Sequence, residues 1–121
     1  SGFDLYGVLD QRAVLEPGDL FQIPTGLALQ LPLGMEGQVR SRSGLASKGL
    51  VVANSPGTID SDYRGEIVVL LANIGRNKLI VNHGDRIAQI VICPVLSACF
   101  IEVDQLQDTT RGVGRFGSTG R

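Results

Sequence analysis

Charge of one sign, long apolar runs, cysteine and histidine are all scarce in this sequence, and each scarcity removes a class of protein. The formal net charge is −1, from 11 Lys and Arg against 12 Asp and Glu. Nothing in that total favours DNA, RNA or an anionic membrane as a partner. A small anion stays open, because a few local arginines hold a phosphate whatever the total charge. No apolar run approaches the ~18 residues needed to span a bilayer, and no stretch has the signal-peptide pattern. Two cysteines, Cys93 and Cys99, are too few for the disulfide framework of a secreted domain. Both are expected to be reduced packing residues, which makes a cytoplasmic location the expectation, with nuclear, organellar or viral origin left open. With a single histidine and no pair of CxxC motifs, a structural zinc site is not supported. The sequence begins at Ser1 and runs straight into a motif, so residues ahead of it are expected.

Helical patterning is missing too. No window of ten or more residues carries an apolar stripe at helical spacing, and only Gly44 to Lys48 suits a single turn. What is present is a series of short apolar or alternating runs between turn signals, with 16 Gly and 5 Pro in 121 residues. Strands are predicted at Phe21–Ile23, Leu27–Leu31, Glu36–Ser41, Leu50–Ala53, Glu66–Ala72, Leu79–Val81, Ile87–Val95 and Cys99–Val103. Leu27, Leu29 and Leu31 alternate with Ala28 and Gln30 at the period of a half-buried strand. The run from Glu66 to Ala72 is nearly continuous, as in a strand covered on both faces. Many short strands at this spacing predict a sandwich, barrel or jelly roll. With 43% hydrophobic and 19% charged residues the chain reads as one globular domain.

Residues 108–121 stand apart, being rich in Gly, Ser, Thr and Arg with only Val113 and Phe116 apolar. Gly112, Gly114 and Gly117 match G-x-G-x-x-G, but no helix can follow so close to the end of the sequence, and a Rossmann site is excluded. The Walker-type spacing of Gly112 and Gly117 fails as well, since Ser118 stands where Lys is needed. The composition suits a flexible tail. Its glycine N–H groups, arginines and hydroxyls equally suit a segment that wraps a polyphosphate.

Two other stretches carry chemistry. Arg40-Ser41-Arg42-Ser43-Gly44 puts two guanidinium groups and two hydroxyls at a strand end, either a phosphate site or an ordinary basic turn. Asn54 through Gly65 is a long polar loop between two apolar runs, and it looks like a hairpin with an elaborated tip. Asp60 sits there beside Ile59 and near Tyr63, where partial desolvation would make it more basic; a solvated turn is the plainer reading. His83, between Asn82 and Gly84, reads as a surface turn residue.

Taken in order, five segments resemble the five motifs of trimeric dUTPases. They are Ser1-Gly2-Phe3-Asp4-Leu5-Tyr6, Arg42-Ser43-Gly44-Leu45, Gly57 through Gly65, Gly84-Asp85-Arg86-Ile87-Ala88-Gln89, and Arg111-Gly112 through Gly120. The third and fifth are the specific ones, and the resemblance covers essentially the whole chain. The resemblance implies an all-β, jelly-roll-like core over residues 1–107 and a flexible arm over 108–121 that closes on bound nucleotide. It implies a homotrimer whose sites draw on more than one subunit. It also implies hydrolysis of dUTP to dUMP and pyrophosphate by attack of water on the α-phosphorus, which limits uracil in DNA and supplies dUMP for thymidylate synthesis.

By motif, Asp60 would hold the attacking water as general base. Tyr63 would pack under the deoxyribose and exclude a 2′-hydroxyl. Asn54, with backbone of the hairpin from Gly57 to Ile59, would read the uracil edge. Arg42, Ser43, Gly44 and Gln89 would serve the phosphates. Phe116 would stack on uracil, while Arg111, Gly117, Ser118 and Thr119 would close on the terminal phosphate. Asp4 would support, by orienting a basic residue. Mg²⁺ would be held through the triphosphate and waters, with no dedicated protein ligands.

One residue departs from the pattern. The fifth motif usually has Gly where this chain has Arg115: if that position needs a positive φ the substitution is strained, and otherwise Arg115 points to solvent or adds a phosphate contact, the arm still closing with altered affinity. Two rival readings are a dCTP deaminase on a related fold and a dUTPase-like regulatory protein that signals through arm closure. Asp60 and the fifth motif argue against the first. Intact Asp60, Gln89 and Phe116 argue that catalysis accompanies any role of the second kind.

Overall fold

The computed structural model describes residues 1–120; Arg121, the last residue of the expected arm, lies outside them. Nine strands and one turn of helix make up its regular structure. They are β1 (Phe3–Tyr6), β2 (Ala13–Leu15), β3 (Leu20–Pro24), β4 (Met35–Arg40), α1 (Ser43–Ala46), β5 (Leu50–Val52), β6 (Gly57–Ile59), β7 (Val68–Asn73), β8 (Leu79–Val81) and β9 (Arg86–Pro94). They form a four-stranded sheet in the order β1-β9-β4-β6, a three-stranded sheet β3-β7-β5, and the pair β2-β8. Every strand pair is antiparallel. This is the all-β body that the strand spacing predicts, in the jelly-roll-like form that the resemblance implies.

The alternation of β4 shows why the sheets face one core. Gly37 and Val39 are buried, while Glu36, Gln38 and Arg40 lie on the other face and are half-buried. Each outward residue bonds the next: Gln38 Nε2 donates to Glu36 Oε2 at 2.8 Å, and Arg40 Nη2 donates to Gln38 Oε1 at 2.7 Å. The inner faces of all three sheets supply a single apolar cluster that includes Leu5, Leu15, Ile23, Val39, Leu71 and Ile90. Apolar burial of this kind contributes roughly 1.5–3 kcal/mol per fully buried side chain and supplies the main driving force for closure.

The polar loop at residues 54–65 is more than a hairpin tip. β5 and β7 pair directly, with Val52 opposite Leu71, so they are the legs of a long hairpin. The segment between them crosses to the other sheet, where β6 adds an edge strand to β4.

Two predicted strands do not form. Residues 27–31 form no strand; only the Leu27 carbonyl, which accepts from the Ile67 N–H at 2.7 Å, extends the contact with the chain leading into β7. The Leu27 N–H donates to Thr25 Oγ1 at 3.2 Å, and the Gly26 N–H donates to Glu66 Oε2 at 2.9 Å. Leu29 still packs against the core. The second is Cys99–Val103. The chain leaves the body after β9, with the Val95 N–H bonded to the Gly34 carbonyl at 2.8 Å, and residues 99–103 beyond it pair with no strand. The expectation that both cysteines pack also divides: Cys93 is half-buried, but Cys99 is exposed, and both are free thiols.

Candidate active site

The residues expected to act fall into three groups. The first is built by β6 and the loop after it. Gly57 lies opposite Val39 in β4, and a Cβ there would stand 3.2 Å from the Asn54 amide nitrogen. The missing side chain therefore lets Asn54 fold over the strand. Ile59 ends the strand half-buried, and Asp60 follows it. A turn fixes the next residues, with the Tyr63 N–H donating to the Asp60 carbonyl at 3.1 Å. Arg64 Nη1 braces that turn by donating to the Ser61 carbonyl at 2.6 Å. The Tyr63 hydroxyl donates to the Glu66 carbonyl at 2.8 Å, which holds the ring across the base of the loop. Thr58, Ile59, Asp60, Tyr63, Glu66 and Val68 line a cleft of about 190 Å³. Asp60 itself is exposed in the single chain, so the desolvation expected from its apolar neighbours is not met there. Ile59 packs against the core, while Asp60 follows it into the exposed turn beyond β6.

The second group surrounds the far end of β4. Register places Asp4 of β1 opposite Gln89 of β9, and Gln89 opposite Arg40 of β4. Arg42 Nε lies 3.3 Å from Asp4 Oδ1, and Arg86 Nη1 lies 3.6 Å from Asp4 Oδ2. One carboxylate thus sits between two guanidinium groups and lowers their mutual repulsion. Arg42 Nη1 also donates to the Arg86 carbonyl at 3.3 Å. Gln89 Nε2 donates to the Ser41 carbonyl at 3.1 Å, tying β9 to the strand end that carries Arg42. Ser43 and Gly44 follow as the exposed opening of α1. A cleft of about 240 Å³ opens beside Arg42, between Leu45, Leu50, Asp85, Arg86 and Ile87. Motif reasoning quoted Arg86 without assigning it a role. The signal for one was present, since Asp4 is the only acidic residue in the first motif and two arginines elsewhere need a counter-charge.

The third group is the arm. Arg111, Phe116, Gly117, Ser118 and Thr119 are all exposed. Successive turns shape it: the Gly114 N–H donates to the Arg111 carbonyl at 3.1 Å, and the Ser118 N–H to the Arg115 carbonyl at 3.0 Å. Arg115 is not in the left-handed region, whereas Gly112, Gly117 and Gly120 are. The strain anticipated for arginine at this position is absent.

Within one chain the first two groups do not meet. Ile59 pairs with Gly37, near the start of β4, while Arg42 lies beyond its end. Five residue steps at about 3.3 Å each put the two roughly 16 Å apart along the strand. Among the described residues no group of three or more His, Cys, Asp or Glu side chains gathers to form a metal cage.

Comparison with known proteins gives this geometry a context. The sequence profile of one family, dUTPase, matches residues 1–120. The chain is 55% identical over 121 residues to the deoxyuridine 5'-triphosphate nucleotidohydrolase of Desulfotalea psychrophila, spanning 99% of this chain and 81% of that protein. It is 52% identical over 121 residues to the enzyme of the same name from Anaplasma marginale, spanning 99% and 82%. Among solved structures, the dUTPase of Staphylococcus bacteriophage 80alpha with dUPNHPP aligns with a TM-score of 0.84 at 27% identity, over 97% of this chain and 84% of that one. The native EIAV dUTPase aligns with a TM-score of 0.77 at 31% identity, over 88% and 86%. A mutant dUTPase of S. aureus phage phi11, whose structure details the coordination of a structural Mg(II) ion, aligns at 0.75 and 27% identity, over 86% and 83%. A match across residues 1–120, joined by relatives more than half identical over nearly the whole chain, means that this chain belongs to the dUTPase family.

Proposed function

We propose that this chain hydrolyses dUTP to dUMP and pyrophosphate, with Asp60 as the base that activates water. The observation that carries the assignment of the base is the placing of Asp60 on the wall of the Tyr63 cleft, at the open edge of β6. A carboxylate there reaches a water lying over a nucleotide whose sugar rests on Tyr63. It takes the water proton as the oxygen attacks the α-phosphorus. The bond from that phosphorus to the bridging oxygen breaks, and pyrophosphate departs. Asn54, folded over Gly57, is placed to read the base, and leaving its amide unpaired against a wrong base is costly.

Arg42, Ser43, Gly44 and Gln89 hold the phosphate chain, with Asp4 keeping Arg42 in position. Arg111, Gly117, Ser118 and Thr119 on the arm then close over the terminal phosphate, while Phe116 covers the base. The donor chemistry suits Mg²⁺ carried by the substrate: around the phosphates Arg42 supplies positive charge and Ser43 and Gln89 supply neutral hydrogen-bonding groups, while the triphosphate oxygens suit the metal. When bound, the metal neutralises phosphate charge and orients the α-phosphate.

The assembly we propose is a homotrimer. A phosphate chain held at Arg42 lies too far along β4 from Asp60 of the same subunit, so the two groups meet only across subunits. The exposed apolar run after β9 supports the same reading: Leu96, Phe100 and Leu106 are 92%, 96% and 81% exposed. A monomer does not leave so much contiguous apolar surface in water, and a neighbouring copy is the natural cover. The free thiols of Cys93 and Cys99 fit a reducing, cytoplasmic setting.

The test is pyrophosphate release from dUTP, dCTP, dTTP and UTP, with ammonia release from dCTP measured alongside. Turnover of dUTP alone is expected, falling by ~10²-fold or more in Asp60→Asn if general-base help is removed. Undiminished turnover in that variant overturns the assigned base, and ammonia release overturns the reaction.

A further inference from the structure

We infer that Arg115 is a second cationic contact for the terminal phosphate, and that it sharpens the preference of the arm for a triphosphate over shorter nucleotides. The inference rests on the proposed closure of the arm over dUTP and deepens it. Its starting point is charge. From residue 108 onward the sequence has one carboxylate, Asp108, and the arginines Arg111, Arg115 and Arg121. Among the described residues the ion pairs are those of Arg42 and Arg86 with Asp4, so Arg111 and Arg115 face solvent without one. The substrate, by contrast, carries several negative charges within a few ångströms.

The two described arm arginines are not equivalent. Arg111 Nε donates to the Gly114 carbonyl at 2.9 Å, so part of its guanidinium holds its own turn together. Arg115 is the first residue of the next turn, in which the Ser118 N–H bonds to its carbonyl at 3.0 Å and Gly117 takes a φ of 76°. A β-turn brings its first and fourth residues within about 7 Å between Cα atoms. Arg115 therefore stands beside Ser118, at the open base of the turn, while Phe116 occupies the tip. A phosphate bound at Ser118 and Thr119 lies within the reach of an arginine side chain at 115.

The backbone permits this. Position 114 has no room for a side chain, since a Cβ there would meet Ser118 Cβ at 2.7 Å. Position 115 is free of that contact, is exposed, and has an ordinary φ. An arginine fork that binds phosphate oxygens in pairs adds strength and directional selectivity at that point.

The experiment measures dissociation constants of α,β-imido-dUTP, dUDP and dUMP for the full-length protein with Mg²⁺. The variants are Arg115→Gln, which keeps length and removes charge, and Arg115→Lys, which keeps charge and removes the fork. Arg115→Gln is expected to bind the imido-triphosphate about tenfold more weakly, as loss of one charge-assisted contact implies. Its affinity for dUMP should not change, and Arg115→Lys should fall between. Raising NaCl should weaken triphosphate binding more in the parent than in Arg115→Gln. Equal affinity of parent and Arg115→Gln for the imido-triphosphate overturns the inference, and so does equal weakening for all three nucleotides. A parent protein that fails to prefer the triphosphate would instead sink the underlying reading of the arm.

Discussion

Tyr63 and Gly65 make sense only as a pair. A Cβ at position 65 would lie 2.6 Å from Tyr63 Cζ, so the ring rests where a side chain would otherwise be. The Tyr63 hydroxyl then reaches the Glu66 carbonyl at 2.8 Å. Gly65→Ala must displace the ring from the cleft floor, and the ring is what the sugar is proposed to rest on. We expect KM for dUTP to rise by about tenfold and discrimination against UTP to shrink, on the scale of one lost close contact. Tyr63→Phe keeps the ring and removes one hydrogen bond of about 1 kcal/mol. Steady-state kinetics on dUTP and UTP should therefore find that variant close to the parent. If Gly65→Ala keeps both constants, the ring is not a positioning surface. Residue types and their order made Asp60, Tyr63 and Asn54 legible as a set. The folding of the Asn54 amide over Gly57 was not, because it depends on a strand pairing between residues far apart in the chain.

Among the elements, β7 is the hub of its sheet, pairing with β3 on one side and β5 on the other. It ends on Asn73, which is only 1% exposed and fully bonded. Its Nδ2 donates to the Leu15 carbonyl at 2.9 Å and the Asn77 carbonyl at 2.7 Å, and its Oδ1 accepts from the Gly75 N–H at 3.0 Å. One side chain so joins the end of β2, the turn leading to β8, and the sheet. Asn73→Ala leaves three backbone groups without partners, at about 1–3 kcal/mol for each that stays buried and unpaired. Urea unfolding should show a loss of roughly 2–4 kcal/mol after partial rescue by water. A loss below about 0.5 kcal/mol would mean that the three contacts are incidental. The strands with clean alternation or strong apolar runs, β4, β5 and β7 to β9, were readable in sequence. The alternation at Leu27, Leu29 and Leu31 misled, because the β3–β7 ladder stops at Pro24, the Leu27 N–H turns to Thr25 Oγ1, and local periodicity does not show where a pairing ends.

The whole molecule raises the question of completeness. Asp60 and Arg42 lie toward opposite ends of β4, so the proposed site, which uses both, is expected to cross a subunit boundary. Mixing resolves this directly. Asp60→Asn and Arg42→Ala subunits, each inactive alone, should regain activity when unfolded together and refolded, because some sites then draw both intact residues from different chains. Sedimentation should find the parent at three times the 12.9 kDa chain mass. Mixed samples no more active than either variant would place both residues in one chain's site and remove the argument for sharing. Exposure of the run from Val95 to Leu106 belongs to the same scale: Cys99–Val103 within it was predicted as a strand of this body, and it pairs with none of the strands.

The order of residue types determined by itself that the chain is all-β, that Asn54 to Gly65 is a polar stretch with two carboxylates, an amide and an aromatic ring, and that the last residues are rich in arginine and glycine. These follow from local periodicity and turn chemistry, which act over a few residues. Tertiary structure alone decided that Asp4 lies between Arg42 and Arg86, that Gln89 braces the strand end at Ser41, and that Asp60 follows a strand paired toward the other end of β4. Register sets those distances, and register is a property of strands brought together from across the chain rather than of any stretch of it.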